Sequence, residues 1–313
     1  MSQKVRFKIQ RYNPKTDKEP YYSEYVLNIE TWASVLDALN MIREEQDSSL
    51  SFRMSCKSGI CGSCAMRING RARLACKTKI MDQIKDFGEV KIEPLGNMPV
   101  IKDLVADMSS FYDEIETIKP WIESDKSPVE EHIVKPDDLR KIEKTSECIM
   151  CGACFSDCPS REQEETYLGP AASVIAHRHI FDTRDIKKLE RLKQLTEKNI
   201  WMCAHCERAN ENCPQEIKPM EVISELREES IKNAITSNDG ARHARTIEKS
   251  VRKYGELAES RLPLGTFGFI RVLKFIPFAL RLLLKGKFPP LFIKKIKNHK
   301  QIKTLFNDVK KHE

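Results

Sequence analysis

Charged and apolar residues alternate through KVRFKIQRY, which places Val5, Phe7 and Ile9 on one face, and through YYSEYVLNIE, which does the same for Tyr25, Leu27 and Ile29. A two-residue period is that of a half-buried strand. The intervening NPKTDKEP is a turn or loop. In TWASVLDALNMIREEQ the period lengthens, and Val35, Leu36, Leu39 and Ile42 recur at helical spacing with Thr31 as the expected N-cap. EVKIEPL reads as another strand, and the Asn-Gly of RINGRAR, between two short extended runs, predicts a two-residue hairpin. Two strands, a helix, a cysteine loop and a returning strand predict a small α+β domain over residues 1–105.

A Pro-rich, acidic stretch, KPWIESDKSPVEEHIVKPDD, connects this domain to segments with a helical period, RDIKKLERLKQL and KPMEVISELREESIKNAI. An all-α second domain is expected over residues 106–250. Residues 251–313 form a basic C-terminal extension. From Leu262 onward there are twelve Lys and Arg against Asp308 and Glu313, a net +10, so the overall +7 leaves −3 on the first 261 residues. Charges and prolines interrupt the apolar runs of this tail before they reach the roughly 18–20 residues that cross a bilayer. MSQKVRFKIQ carries no apolar run of the kind a secretory signal needs, so a cytoplasmic setting is expected. At 313 residues the chain has room for two modest domains with cores of their own.

All eleven cysteines fall in three short windows. In a reducing compartment clustered C-x-x-C thiols are expected to be metal ligands, and an odd total suits disulfide pairing badly. Cys56, Cys61, Cys64 and Cys76 follow C-x4-C-x2-C-x11-C, close to the plant-type 2Fe-2S spacing. Gly59 and Gly62 let the backbone wrap tightly and aim amides at sulfur. The hairpin would return Cys76 beside Cys64. A zinc site is the alternative, but four-cysteine zinc sites normally use two C-x2-C pairs and one pair is missing.

Cys148, Cys151, Cys154 and Cys158 follow C-x2-C-x2-C-x3-C-P, the bacterial ferredoxin run whose fourth cysteine ligates a neighbouring cluster. By that crossing logic Cys213, before Pro214, joins Cys148, Cys151 and Cys154 at a 4Fe-4S cluster. Cys158 joins Cys203 and Cys206 at another. Three thiolates suit a 3Fe-4S cluster; the rival is a second 4Fe-4S cluster with His205, Glu207 or water as fourth ligand. As a plain alternative, His205 is a partly solvated loop histidine. A series of clusters in one chain conducts electrons between distant partners.

EQDSSLSFRMSCKSGICGSCAMRINGRARLAC, PVIKDLVADMSSFYDEI and CIMCGACFSDCPS resemble the iron-sulfur subunit of succinate dehydrogenases and fumarate reductases, over roughly residues 1–235. The resemblance implies an N-terminal β-grasp 2Fe-2S ferredoxin-like domain followed by an all-α two-cluster ferredoxin-like domain. It implies docking on an FAD-containing flavoprotein that interconverts succinate and fumarate, with clusters passing electrons between flavin and quinone. The absence of a G-x-G-x-x-G after a strand, and of any acid/base constellation, agrees that substrate chemistry belongs to another subunit.

Two departures stand out. The family's third window, C-x5-C-x3-C-P, would place cysteines at 203 and 209, whereas here Ala209 is accompanied by an added Cys206. PSREQEETYLGP lacks the tryptophans that help form a quinone pocket in many members, and Ala204 stands where histidine is common. The tail LLLKGKFPPLFIKKIKNHKQIKTLF is weakly similar to heterodisulfide-reductase-type iron-sulfur subunits. Together these features imply a branch whose terminal, membrane-associated subunit is a cysteine-rich CCG-domain protein, with the complex peripheral on the cytoplasmic side of the inner membrane. The basic tail itself suits an anionic membrane face, an acidic partner or plain solvation. Two other functions compete: an iron-sulfur carrier of the heterodisulfide or glycolate oxidase type, which usually lacks the 2Fe-2S domain, and a zinc-bearing nucleic-acid binder. The latter would be colourless, and no nucleic-acid partner is expected.

Overall fold

The structure, a computed structural model, describes residues 2–125, 131–290 and 292–312, with side chains as far as 308. Part of the predicted connecting stretch, Lys126 to Glu130, lies outside the described residues, as do the tail side chains of Lys310, Lys311 and Glu313. The chain separates into two compact units, Met1–Glu228 and Glu229–Glu313.

The first unit opens with a five-stranded sheet in the order β2-β1-β5-β3-β4. Its strands are β1 (Ser2–Arg11), β2 (Tyr21–Glu30), β3 (Ala65–Ile68), β4 (Arg71–Leu74) and β5 (Val90–Glu93). β1 pairs antiparallel with β2 and parallel with β5, and β3 pairs antiparallel with β4 and β5. The alternation read from sequence is the pleat itself: Val5, Phe7, Ile9, Tyr25, Leu27 and Ile29 are all buried. α1 (Val35–Glu45) turns Val35, Leu36, Ala38, Leu39 and Ile42 into the core, giving the β-grasp arrangement. The helix begins at Ser34, not Thr31. Ser34 accepts from Asp37 N while the Asp37 carboxylate accepts from Ser34 N, a reciprocal capping box that Thr31 does not make. α2 (Ile80–Phe87) precedes β5, and Asn69-Gly70 closes the β3–β4 hairpin with both residues at positive φ.

A buried cation ties this domain together. Arg11 Nε donates to Asp103 Oδ1 at 3.0 Å, Nη1 to the Tyr25 hydroxyl at 2.7 Å and to Asp47, and Nη2 to Ser49 at 2.8 Å. Asp103 sits in the turn between β6 (Val100–Lys102) and β7 (Val105–Ala106), and its other oxygen accepts from Ser51 N at 2.9 Å. The chain entering the first cysteine loop is thereby pinned from two sides.

The hydrophobic pattern did not announce β6, β7 or α3 (Ser109–Thr117), all short. The helical part continues with α4 (Pro136–Ser146), α5 (Ala153–Ser156), α6 (Pro159–Gln163), α7 (Gly169–Ile180), α8 (Lys188–Glu197), α9 (Arg208–Asn212) and α10 (Pro219–Lys232). α7 is buried nearly all round and forms its spine. The second unit holds α11 (Asp239–Tyr254), α12 (Leu262–Val272), α13 (Ile276–Leu284) and α14 (His299–His312). α11 packs on α12 and α14.

Candidate iron-sulfur sites

The loop before β3 carries the first cysteines. Gly59 and Gly62 have φ of 73° and 74°, the left-handed region that a Cβ disfavours. The wrap points three amides at one sulfur: Ser58 N, Ile60 N and Cys61 N lie 3.3, 3.4 and 3.3 Å from Cys56 Sγ. The β3–β4 hairpin returns Cys76 to Cys64, and Ala75 N donates to Cys64 O at 3.0 Å. The Ser63 hydroxyl, then backbone amides, pull the exposed Cys61 thiol down to about 6, whereas burial pushes Cys64 up to about 12.

Cys148, Cys151, Cys154 and Cys213 line one cavity, walled by Phe111, Ile149, Ala171, Val174 and Ile217. Met150 and Gly152 have φ of 49° and 77°, so the backbone coils round the thiols. Burial pushes Cys151 up to about 11 and Cys154 well above its ordinary value, with the other sulfurs of the cavity adding to the rise. Thiols so placed lose their protons only to a positive charge of high density. The donor set therefore fits cluster iron.

A second cavity is lined by Cys158, Cys203, Cys206, His205, Glu207 and Ala209, among others. Ala209 thus borders the same space as Cys206, and a thiol at either position reaches it. His205 Nε2 accepts from the Arg227 guanidinium, so that nitrogen is engaged. Arg227 also donates to Ile200 O at 2.8 Å and Cys203 O at 3.0 Å and lies over the Trp201 ring, its centre 5.1 Å from the centroid. Burial disfavours its charged form, and Cys203 and Tyr167 are the groups that favour it. The Tyr167 hydroxyl is buried without a hydrogen-bond partner, and burial, then Cys203 and Cys158, push it well above its usual range. A buried O–H with no acceptor beside two thiols fits a site completed by cluster sulfur.

Among the described residues no three Cys, His, Asp or Glu side chains converge as ligands of a single ion do. Ligands about 2.3 Å from one zinc crowd within about 4 Å of each other. Thiols spread round a cavity suit a polynuclear cluster instead.

Residues other than the cysteines hold the sites together, and no spacing rule points to them. Asn97 Nδ2 donates to Phe155 O and Cys158 O at 2.9 and 3.0 Å, and Gly96 N donates to Ser156 Oγ at 2.8 Å. Buried Asp157 accepts from Ala72 N and Asn212 Nδ2, both at 2.8 Å, and forms an ion pair with Arg67 at 3.2 Å. Arg67 Nε makes no hydrogen bond, so the contact is electrostatic only. Asp157 therefore links the hairpin to α5 and α9.

Comparison with known proteins accords with this geometry. A family model described as "2Fe-2S iron-sulfur cluster binding domain" matches residues 6–113, and one described as "4Fe-4S dicluster domain" matches residues 144–217. The chain is 38% identical over 247 residues to the fumarate reductase iron-sulfur subunit of Haemophilus influenzae, covering 74% of this chain and 95% of that one. It is 37% identical over 231 residues to succinate dehydrogenase [ubiquinone] iron-sulfur subunit 3, mitochondrial, of Arabidopsis thaliana, covering 72% and 74%. Among solved structures, a chain of the Mycobacterium smegmatis Sdh1 complex in the apo form aligns with a TM-score of 0.64 at 25% identity, over 74% of this chain and 98% of that one.

Proposed function

The chain belongs to the family of iron-sulfur subunits of succinate dehydrogenases and fumarate reductases, and from that premise we propose that it carries electrons between the FAD of a succinate/fumarate flavoprotein and a quinone-side, membrane-associated subunit. It is a component of an oxidoreductase complex and carries 2Fe-2S and 4Fe-4S binding domains. Bound clusters supply one-electron chemistry at potentials set by ligands, hydrogen bonds and burial.

We assign Cys56, Cys61, Cys64 and Cys76 to the 2Fe-2S cluster, and Cys148, Cys151, Cys154 and Cys213 to the 4Fe-4S cluster. Cys158, Cys203 and Cys206 hold the third, read as 3Fe-4S because three thiols face the cavity and His205 Nε2 is turned to Arg227. Residues 1–105, 106–250 and 251–313 are the 2Fe-2S domain, the two-cluster helical domain and the extension. The observation that carries this reading is contiguity. All three groups of thiols lie in one compact unit, and the first loop touches the second: a Cβ added to Gly62 would meet Cys151 Cβ at 2.8 Å. α5 then carries Cys154 and leads into Cys158, which lines the other cavity. The apolar wall of Phe111, Ala171, Val174 and Ile217 keeps water from the middle site.

The terminal partner in this proposal is a CCG-domain subunit, with the complex peripheral on the cytoplasmic side of the inner membrane. Support comes from PSREQEETYLGP and Ala204, where the residues of the usual quinone pocket are missing. No helix among the described residues is long and apolar enough to cross a membrane. Iron and acid-labile sulfide analysis with EPR on anaerobically purified chain tests the main reading. About nine irons per chain and three distinct signals are expected, and about ten would make the third site a full cubane. Material without sulfide sinks the proposal; copurification with a haem-containing transmembrane subunit and no CCG-domain protein removes the partner.

A further inference from the structure

We infer that the segment from Phe269 to Leu284 binds the surface of an anionic lipid bilayer and lies in its interface. α12 breaks at Gly268, with φ 73° and ψ 172°, and from there the backbone stays helical through a tightened turn at Leu273–Phe275 into α13. Sixteen residues at about 1.5 Å each make a rod about 24 Å long. Along it, Phe269, Leu273, Ile276, Leu280 and Leu283 recur at steps of four, three, four and three, with Leu284 beside them. These side chains share one stripe. They are exposed, Phe269 by 72%, Leu280 by 53%, Leu283 by 61% and Leu284 by 87%.

Val272, Ala279 and Leu282 form a second stripe that is only partly exposed. Arg271, Lys274, Arg281 and Lys285 form a third, cationic except for the exposed Phe278 among them. No Asp or Glu occurs between Leu262 and Asn307. Arg271 is engaged by Asp239 of α11, at 2.7 Å from Nη1 to Oδ2. Among the described residues Lys274, Arg281, Lys285 and Lys287 have no acidic partner. A cleft elsewhere in the same unit, lined by Lys249, Arg252, Lys253, Lys295, His299 and Lys303, adds to its positive field.

An apolar groove on a protein would cover the first stripe and leave the cations at its rim unpaired. An acidic protein face would satisfy the cations and leave the leucines in water. An anionic bilayer answers both, since acyl chains take the apolar stripe and headgroup phosphates take the lysines and arginines, whose stems reach up from the interface. The rod is shorter than the roughly 20 residues a span requires, so it lies flat. This inference is independent of the electron-transfer reading and survives its failure.

The test is cosedimentation of the full, anaerobically purified chain with vesicles of phosphatidylcholine alone or mixed with phosphatidylglycerol, at low and high salt. Partitioning onto the anionic vesicles is expected to exceed that onto neutral ones by at least about tenfold at low salt and to fall as salt rises. The Leu280→Glu/Leu284→Glu double variant is expected to lose binding to both vesicles. The Lys274→Glu/Arg281→Glu/Lys285→Glu triple variant is expected to lose the preference for anionic lipid. All these positions are exposed, and unchanged iron content and helical circular dichroism report that the variants fold. Equal partitioning onto both vesicles, variants that bind like the parent chain, or retention only by an acidic protein without lipid would each overturn the inference.

Discussion

Gly62, in the first cysteine loop, lies against Cys151 of the second: a Cβ built on the glycine would stand 2.8 Å from Cys151 Cβ and 3.0 Å from its Cα. The first and second cysteine windows thus meet backbone to side chain. Gly62→Ala combines a positive φ with a clash that neither backbone can relieve. It is expected to destabilise the chain by about 2–4 kcal/mol and to lower the iron content of both sites. Gly70→Ala is the control, because its φ of 77° is similar but nothing lies within 4 Å of the added atom. It should cost only about 1–2 kcal/mol with iron content unchanged. Thermal unfolding and iron assay separate the two.

Arg227 grips His205 and the Cys203 carbonyl, both at the third cavity, and the buried hydroxyl of nearby Tyr167 has no hydrogen-bond partner. A cation beside Cys203 favours the reduced, more negative state of whatever the thiols hold. Arg227→Gln is expected to lower the third cluster's potential by on the order of 50 mV, with Arg227→Lys retaining most of the parent value. Redox titration followed by EPR reads this directly. A purely structural role would instead change signal amplitude and leave the midpoint where it was.

Cys206 stands in a loop where Ala209 borders the same cavity. Cys206→Ser is expected to remove about three irons per chain while the 2Fe-2S spectrum persists, and Ala209→Cys added to that variant to restore them. Cys213→Ser, by contrast, should remove the middle cluster, because Cys213 lines the cavity of Cys148, Cys151 and Cys154. If Cys213→Ser left that cluster intact and emptied the third site, the assignment would be reversed.

His177 on α7 is 3% exposed, its Nε2 lies 2.9 Å from Glu225 Oε2, and its ring tilts on Phe181 at 4.4 Å. Burial lowers its pKa despite the opposing pull of Glu225, and burial lowers that of His179 as well. The folded chain therefore holds these rings neutral at pH values where the unfolded chain protonates them. Stability should be fully present above about pH 6.5 and decline as pH falls below it. Differential scanning fluorimetry from about pH 8 to about pH 5.5 is expected to show that decline, and His177→Gln to flatten it.

The periodicities of β1, β2, α1 and β5, and the Asn-Gly hairpin, were legible in the chain because each is a relation among near neighbours. Spacing likewise singled out the eleven cysteines. Thr31 and Ser34 are both acceptable caps for α1, and only the reciprocal bond to Asp37 selects Ser34, three residues on. Strands as short as β7 bury too few residues to leave a period.

What tertiary structure alone decided is which distant groups share a buried space. Asn97 reaches Cys158 across 61 residues, Asp157 reaches Ala72 across 85, and Tyr167 is pressed beside Cys203 with no acceptor for its hydroxyl. None of these residues differs in type or spacing from ordinary surface polar residues. Their roles arise from desolvation, which depends on what the rest of the fold packs around them and leaves no mark on local pattern. In the tail the division runs the same way: sequence supplied an apolar stripe and a cationic one, and the fold decided which faces remain in water.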